Sequence, residues 1–209
     1  MAQQSDPYPV QLSVDYPDRN LDRATTFFRW VIAIPIVIVI TLVAGSSTNE
    51  EGGEAATWGA GGILFLAPLI MIVFRQKYPR WWFDWNLNLS RFFNRVAAYL
   101  LLMRDEYPST DEEQAVNVQI DYPDVERDLN QWLPLVKWLL AIPHYIALAI
   151  LWTVAIIAVI GAWLAILFTG RYPRGIFDFI EGVLRWSLRV EAYAILLTTD
   201  RYPPFSLKP

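Results

Sequence analysis

Three kinds of hydrophobic patterning alternate along the chain. In two short stretches every second residue is apolar: Val10, Leu12 and Val14 against Gln11, Ser13 and Asp15, and Val116, Val118 and Ile120 against Asn117, Gln119 and Asp121. Period-two alternation closed by Asp-Tyr-Pro predicts a half-buried strand ending in a turn. A second pattern is continuously apolar. Residues 27–44 carry one charge, Arg29, and residues 58–74 and 139–169 carry none. The third pattern is amphipathic, over 81–103 and 176–197, where polar residues recur at steps of three and four among Trp, Phe, Leu and Val.

A helix needs about 20 residues, with about 17 as a lower limit, to cross a hydrocarbon core. The first two apolar runs are each one span long, predicting spans over 28–44 and 58–74. Extended back to Leu133, the third run has 37 residues, too long for one crossing at about 1.5 Å per residue. It is therefore read as spans 133–151 and 153–169 with a tight turn around 151–157. The expected fold is mainly α and membrane-integral, with four transmembrane helices in two hairpins.

These patterns also repeat in order. Val10-Gln-Leu-Ser-Val-Asp-Tyr-Pro17 returns as Val116-Asn-Val-Gln-Ile-Asp-Tyr-Pro123, and Trp30-Val-Ile-Ala-Ile-Pro35 as Trp138-Leu-Leu-Ala-Ile-Pro143. Lys77-Tyr-Pro-Arg80 returns as Arg171-Tyr-Pro-Arg174, and Ala98-Tyr99 as Ala192-Tyr193. Self-similarity at a fixed order is the mark of a duplicated unit. The units are placed at 1–108 and 116–209 around an acidic linker, 109–115. Each is expected to contain a strand, a transmembrane hairpin and a long helix lying in the membrane interface. A lone strand leaves backbone groups unpaired, so the two strands are expected to pair with each other or to add to a neighbouring protein. The alternative is a pair of extended arms on the headgroups. Pro35 and Pro143 each remove an amide from an apolar run and predict a kink at the same place in both units. Their surroundings of Ile, Val and Ala favour a packing role over a broken-helix ligand site.

Charge sharpens the topology. All 17 Lys and Arg residues lie outside 45–57, which holds Glu50, Glu51 and Glu54. By the positive-inside bias this predicts both termini in the cytoplasm and loop 45–57 outside. Cysteine is absent, which excludes disulfides, thiolate metal ligands and Cys nucleophiles. Two basic aromatic corners, Lys77, Tyr78 and Arg80 and then Arg171, Tyr172 and Arg174, suit the headgroup level. On the long helices, Asp84, Asn88, Arg91 and Arg95 form one polar stripe, and Asp178, Glu181, Arg185 and Arg189 the other. Arginines one turn apart can clamp phospholipid headgroups, or can be held internally by Asp84, Asp178 and Glu181; both readings stand.

Candidate catalytic chemistry is sparse. His144 is the one histidine, and its counterpart in the first unit is Ile36, so a packing or interfacial role is favoured over a proton relay. One His and no Cys leave too few ligands for a protein-held metal or haem. Nucleophile-elbow and phosphate-loop patterns are missing. Basic residues interleaved with acids and membrane-facing aromatics argue against nucleic acid. No cofactor is expected. Positions where the units differ, Trp81, Trp82 and His144, are candidate partner-specific contacts.

The segments Arg171-Tyr-Pro-Arg-Gly-Ile-Phe-Asp178, Arg185-Trp-Ser-Leu-Arg189, Ala192-Tyr193 and Asp200-Arg-Tyr-Pro-Pro-Phe205 resemble a bacterial membrane family catalogued as domain of unknown function 4389. The resemblance is tightest in the second unit and implies two tandem copies in a bacterial cytoplasmic membrane. It brings no catalytic residue, cofactor or activity. The leading expectation is a non-catalytic accessory or scaffold subunit of a larger membrane complex, with phospholipids and a membrane protein or further copies as partners. The runner-up is a lipid-binding or small-solute transport protein using the kinked spans and the Arg pairs. A membrane enzyme run on carboxylates, Tyr and Arg comes third.

Overall fold

A computed structural model describes residues 8–44, 60–110 and 112–209. The alternating stretches form β1 (Val10–Val14) and β2 (Val116–Ile120), which pair antiparallel with Leu12 opposite Val118 and Val14 opposite Val116. The expected pairing is therefore met within the chain. Both strands bury alternate residues, Val10, Leu12 and Val14 from one and Val116, Val118 and Ile120 from the other. Their polar residues face outward. Leu12 and Val118 are also the equivalent positions of the two repeated segments, so the sheet is self-complementary, as at an isologous dimer interface.

The helices are α1 (Arg23–Ile32), α2 (Ile34–Ala44), α3 (Ala60–Arg75), α4 (Arg80–Leu100), α5 (Val125–Asp128), α6 (Pro134–Leu140), α7 (Ile142–Thr169) and α8 (Arg174–Ala194). Asp22 caps α1 by accepting from the amide of Ala24 at 2.8 Å. Both predicted kinks are present. Helix α1 gives way to α2 at Ala33 and α6 to α7 at Ala141, two residues before Pro35 and Pro143. Around each break the ladder persists: Ala33 N–H donates to Arg29 and Ala141 N–H to Lys137, at 2.8 and 2.9 Å. Proline itself has no amide to donate at either break.

Two expectations are corrected. Residues 151–157 do not turn; they lie inside α7, a single helix of 28 residues, about 42 Å long. Its run of Leu, Ile, Val and Ala has no breaker at that point, so the backbone continues until Gly170, whose φ of 74° ends the helix. Spans 133–151 and 153–169 are thus one kinked rod, α6–α7. The first unit is not a hairpin of spans 28–44 and 58–74 either. Helix α3 leads directly into α4, whose far end reaches α1, where the Tyr99 carbonyl accepts from Arg29 at 3.1 Å. Twenty residues of α4 therefore separate α1 from the end of α3, about 30 Å. Helices α1–α2 and α3 follow one another along α4. Loop 45–57 lies outside the described residues.

Each apolar rod packs against the amphipathic helix of its own unit. Ala33 and Ile36 meet Phe92, Val96 and Tyr99. In the equivalent place Ala141 and Leu148 meet Trp186, Val190 and Tyr193. The start of each rod meets the end of the other: Leu21 N–H donates to the Gly170 carbonyl at 2.8 Å, and the Gln131 amide to the Val73 carbonyl at 2.6 Å. The result is layered, with the small sheet on α4 and α8 and those two helices on the apolar rods. Two segments, Arg23–Thr41 and Ile142–Thr169, are long and apolar enough to cross a membrane.

Candidate functional site

The interfacial helices expected over 81–103 and 176–197 are α4 and α8. They do not lie with their stripes on a headgroup surface, because the sheet covers the arginine ends of both stripes. Arg185 Nε donates to the Leu12 carbonyl at 2.8 Å, and Arg91 Nε to the Val118 carbonyl at 3.3 Å. Each arginine thus crosses to the strand of the other unit, at the two residues that face each other in the sheet. One turn on, Arg189 Nη1 donates to the Lys208 carbonyl at 3.0 Å and Arg95 Nη1 to the Ser109 carbonyl at 2.8 Å. Glu181 pairs with Arg185 at 2.7 Å and accepts the Val14 amide at 3.2 Å. Asp84 and Asp178 pair instead with Arg80 and Arg174, at 3.4 and 3.2 Å, on the exposed surface. Backbone carbonyls and Glu181 take most of the stripe's donors, and Arg95 Nε and Arg189 Nε are left without a partner.

The corners knit the units together. The Tyr16 hydroxyl donates to the Tyr172 carbonyl, and the Tyr122 hydroxyl to the Tyr78 carbonyl. The guanidinium of Arg174 sits 4.4 Å from the ring centre of Tyr16, and that of Arg80 4.7 Å from Tyr122. Tyr78 and Tyr172 donate in turn to the carbonyls of Leu196 and Leu101, at 2.9 and 3.2 Å. Burial pushes both of these phenols above their ordinary pKa. The corner tyrosines are therefore structural hydroxyl donors, while Lys77 stands exposed.

Two buried cations escaped the sequence reading. Arg29 is fully buried and donates to the carbonyls of Tyr99 and Arg104 and to the carboxylate of Asp105, with its guanidinium 4.5 Å from the Tyr99 ring centre. Lys137 occupies the equivalent place: also fully buried, it donates to the Thr199 carbonyl at 2.8 Å and pairs with Asp200 at 2.7 Å, 5.2 Å from Tyr193. Both carboxylates also accept a backbone amide, from Asp22 and from Asn130. A signal existed, since each apolar run carries one cation six residues before its proline, and each amphipathic helix is followed within a few residues by an aspartate, Asp105 or Asp200.

His144 is fully buried. Its Nδ1 accepts from Trp186 Nε1 at 3.1 Å, and its ring stacks on Phe205 at 4.1 Å. As a partner-specific contact it is corrected: the side chain fills the space beneath the C-terminal segment. Trp81 is exposed and Trp82 half-buried, with their rings 5.5 Å apart.

Two cavities flank the sheet. One, of about 750 Å³, is lined by Tyr8, Gln11, Arg185, Arg189, Arg201 and Lys208 among others, with no Asp or Glu among the described lining residues. Arg189 is 3% exposed, and its Nε has no partner. Burial first, and the neighbouring Arg185 second, pull its guanidinium below the usual pKa. The other cavity, of about 710 Å³, holds Arg91, Arg95 and Arg104 but balances them with Asp15, Glu106, Glu112 and Glu113. Among the described residues no cluster of His, Asp and Glu is arranged to hold a metal ion.

Residues 134–206 match the family model described as Domain of unknown function (DUF4389). No curated protein and no solved structure matches the chain.

Removing one partner of a buried pair leaves the other charge uncompensated, at about 3–5 kcal/mol. Arg29→Met and Lys137→Met should each lower thermal stability by that much in mild detergent. A loss under about 1 kcal/mol in either would show that the cation does not anchor its helix.

Proposed function

We propose that the chain is a non-catalytic, membrane-embedded accessory or scaffold protein of the bacterial cytoplasmic membrane, built as a tandem duplication of one family unit. The observation that carries this reading is the uncovered apolar surface of the rods. On α7, Ile146, Ile150, Ile157, Ile160 and Phe168 are between 57% and 79% exposed. On α1 and α2, Phe28, Trp30, Val31 and Ile38 are between 53% and 63% exposed. Water does not tolerate such a contiguous patch on a monomer; lipid or a partner membrane protein does. The equivalent hydrogen bonds made by equivalent residues, from Arg29 and Lys137 to Tyr16 and Tyr122, support the duplication, although the family match covers one half. The sheet, both flanking cavities and the ends of the chain belong on the cytoplasmic side in this reading.

Solubilised from native membranes in mild detergent, the protein should run in a large complex or as a homo-oligomer. A stable monomer as the sole species would contradict the scaffold role.

The cationic cavity supports a second reading, lipid binding. Basic side chains, with no Asp or Glu side chain among the described lining residues, favour an anionic headgroup, and Arg189 among them offers an unused donor. A charge-assisted hydrogen bond contributes about 1.5–3 kcal/mol, so Arg189→Gln should weaken phosphatidylglycerol binding about tenfold or more. Arg95→Gln, in the balanced cavity, should leave binding unchanged. Equal binding by folded Arg189→Gln protein would make the arginine purely structural.

A further inference from the structure

The sheet sits over the middle of the helices. Glu181 and Arg185, which hold β1, lie near the centre of α8, and Arg91, which holds β2, lies near the centre of α4. Helix α8 runs alongside α7, with Trp186 against His144 and Ser187 accepting from Trp152 Nε1 at 3.1 Å. A slice across the rods at mid-length therefore meets apolar side chains on one side. On the other it meets Gln11, Ser13, Asn117 and Gln119, all exposed. A protein that crosses a bilayer needs an apolar girdle all the way round at that depth, because exposed polar groups in hydrocarbon cost several kcal/mol each. This molecule has an apolar face and a polar face instead.

The corners point the same way. Tyr78 bonds the Leu196 carbonyl, just past the end of α8, while Tyr172 precedes its first residue. Lys77 and Arg80 thus lie about 30 Å from Arg171 and Arg174 along the helix axis. Rods standing upright would put one basic corner on each side of the membrane, against the bias that gathers Lys and Arg on the cytoplasmic side. Rods lying flat put both corners at one headgroup level, where they border the apolar face with positive charge.

We propose that the rods lie in the plane of the membrane, within one leaflet of an anionic bilayer. The apolar face of α1, α2 and α7 is immersed in acyl chains, the two basic corners rest on lipid phosphates, and the sheet and its cavities face water. This rests on the membrane-embedded reading above and specifies how the molecule sits. No crossing is then required of either apolar rod. The long charged stems at the rim of such a slab suit the interface as well, their methylenes toward lipid and their heads toward phosphate.

The chain has no cysteine, so single labels report cleanly. Ile146, Ile157 and Phe168 are all exposed on α7 and are spaced by 11 residues, close to three full turns, which places them on one face. Ile146→Cys, Ile157→Cys and Phe168→Cys proteins, spin-labelled and reconstituted in phosphatidylcholine–phosphatidylglycerol vesicles, are read for immersion depth. Lys77→Cys and Arg171→Cys proteins are read for reaction with a membrane-impermeant maleimide. The proposal expects the three α7 depths to agree within about one helical turn, about 5 Å, and both corners to react from the same side. An upright rod would place successive labels about 16 Å apart along the normal, and it would send the corners to opposite sides. That result would overturn the proposal while leaving membrane embedding intact. Labels shielded from lipid by a second copy, seen as spin–spin broadening, would overturn it too. Failure of the unlabelled protein to float with the vesicles would instead sink the membrane reading itself.

Discussion

A five-residue strand has unpaired donors and acceptors along both edges, and alone it is not stable in water. The antiparallel pairing of β1 with β2 removes that problem and places Leu12 against Val118, the two equivalent residues. Most of the architecture follows from this one junction. Because each strand receives an arginine from the other unit's helix, through Arg185 and Arg91, joining the strands also joins α8 to the first unit and α4 to the second. The corner tyrosines repeat the exchange at the periphery. The sheet and the corners therefore tie the two halves of the chain together.

The same arrangement explains what happens to polar groups near so much apolar surface. Every arginine of the stripes ends on a backbone carbonyl, and Arg29 and Lys137 each end on a carboxylate that also accepts an amide. Buried cations are costly unless paired and hydrogen-bonded. Here each one ties the start of an apolar rod to the segment following its amphipathic helix, Arg104–Asp105 or Thr199–Asp200. The second cation can be a lysine or an arginine because the site supplies one acid and one or two carbonyls, and not a bidentate partner that would demand a guanidinium.

Much of this could be read from the chain. The strands, their Asp-Tyr-Pro ends, both proline kinks and both amphipathic helices were legible, because period and proline chemistry act locally. The rods were not. A largely apolar run of 37 residues fits two short spans or one long helix equally well by composition, and only packing along α8 decides for the long helix. The stripes were legible as stripes, but periodicity places residues on a face without saying what covers it, and here the cover is a strand 173 residues away for Arg185 and 27 for Arg91. The partners of His144, Trp186 and Phe205, lie too far along the chain for local pattern to name them. The anchors Arg29 and Lys137 were hidden because a single cation at the edge of an apolar run has the same appearance whether it meets headgroups or a buried acid.

The clasp at the sheet is the claim on which the rest depends, and the absence of native cysteine makes it directly accessible. Ser13 and Asn117 are exposed and face each other across the strands, at a separation of about 5.5 Å for a hydrogen-bonded antiparallel pair, within disulfide range. Ser13→Cys combined with Asn117→Cys, oxidised in membranes and then cleaved between the units, should leave the two fragments covalently joined from a single chain. Cross-links that form only between chains, or none at all, would contradict the account.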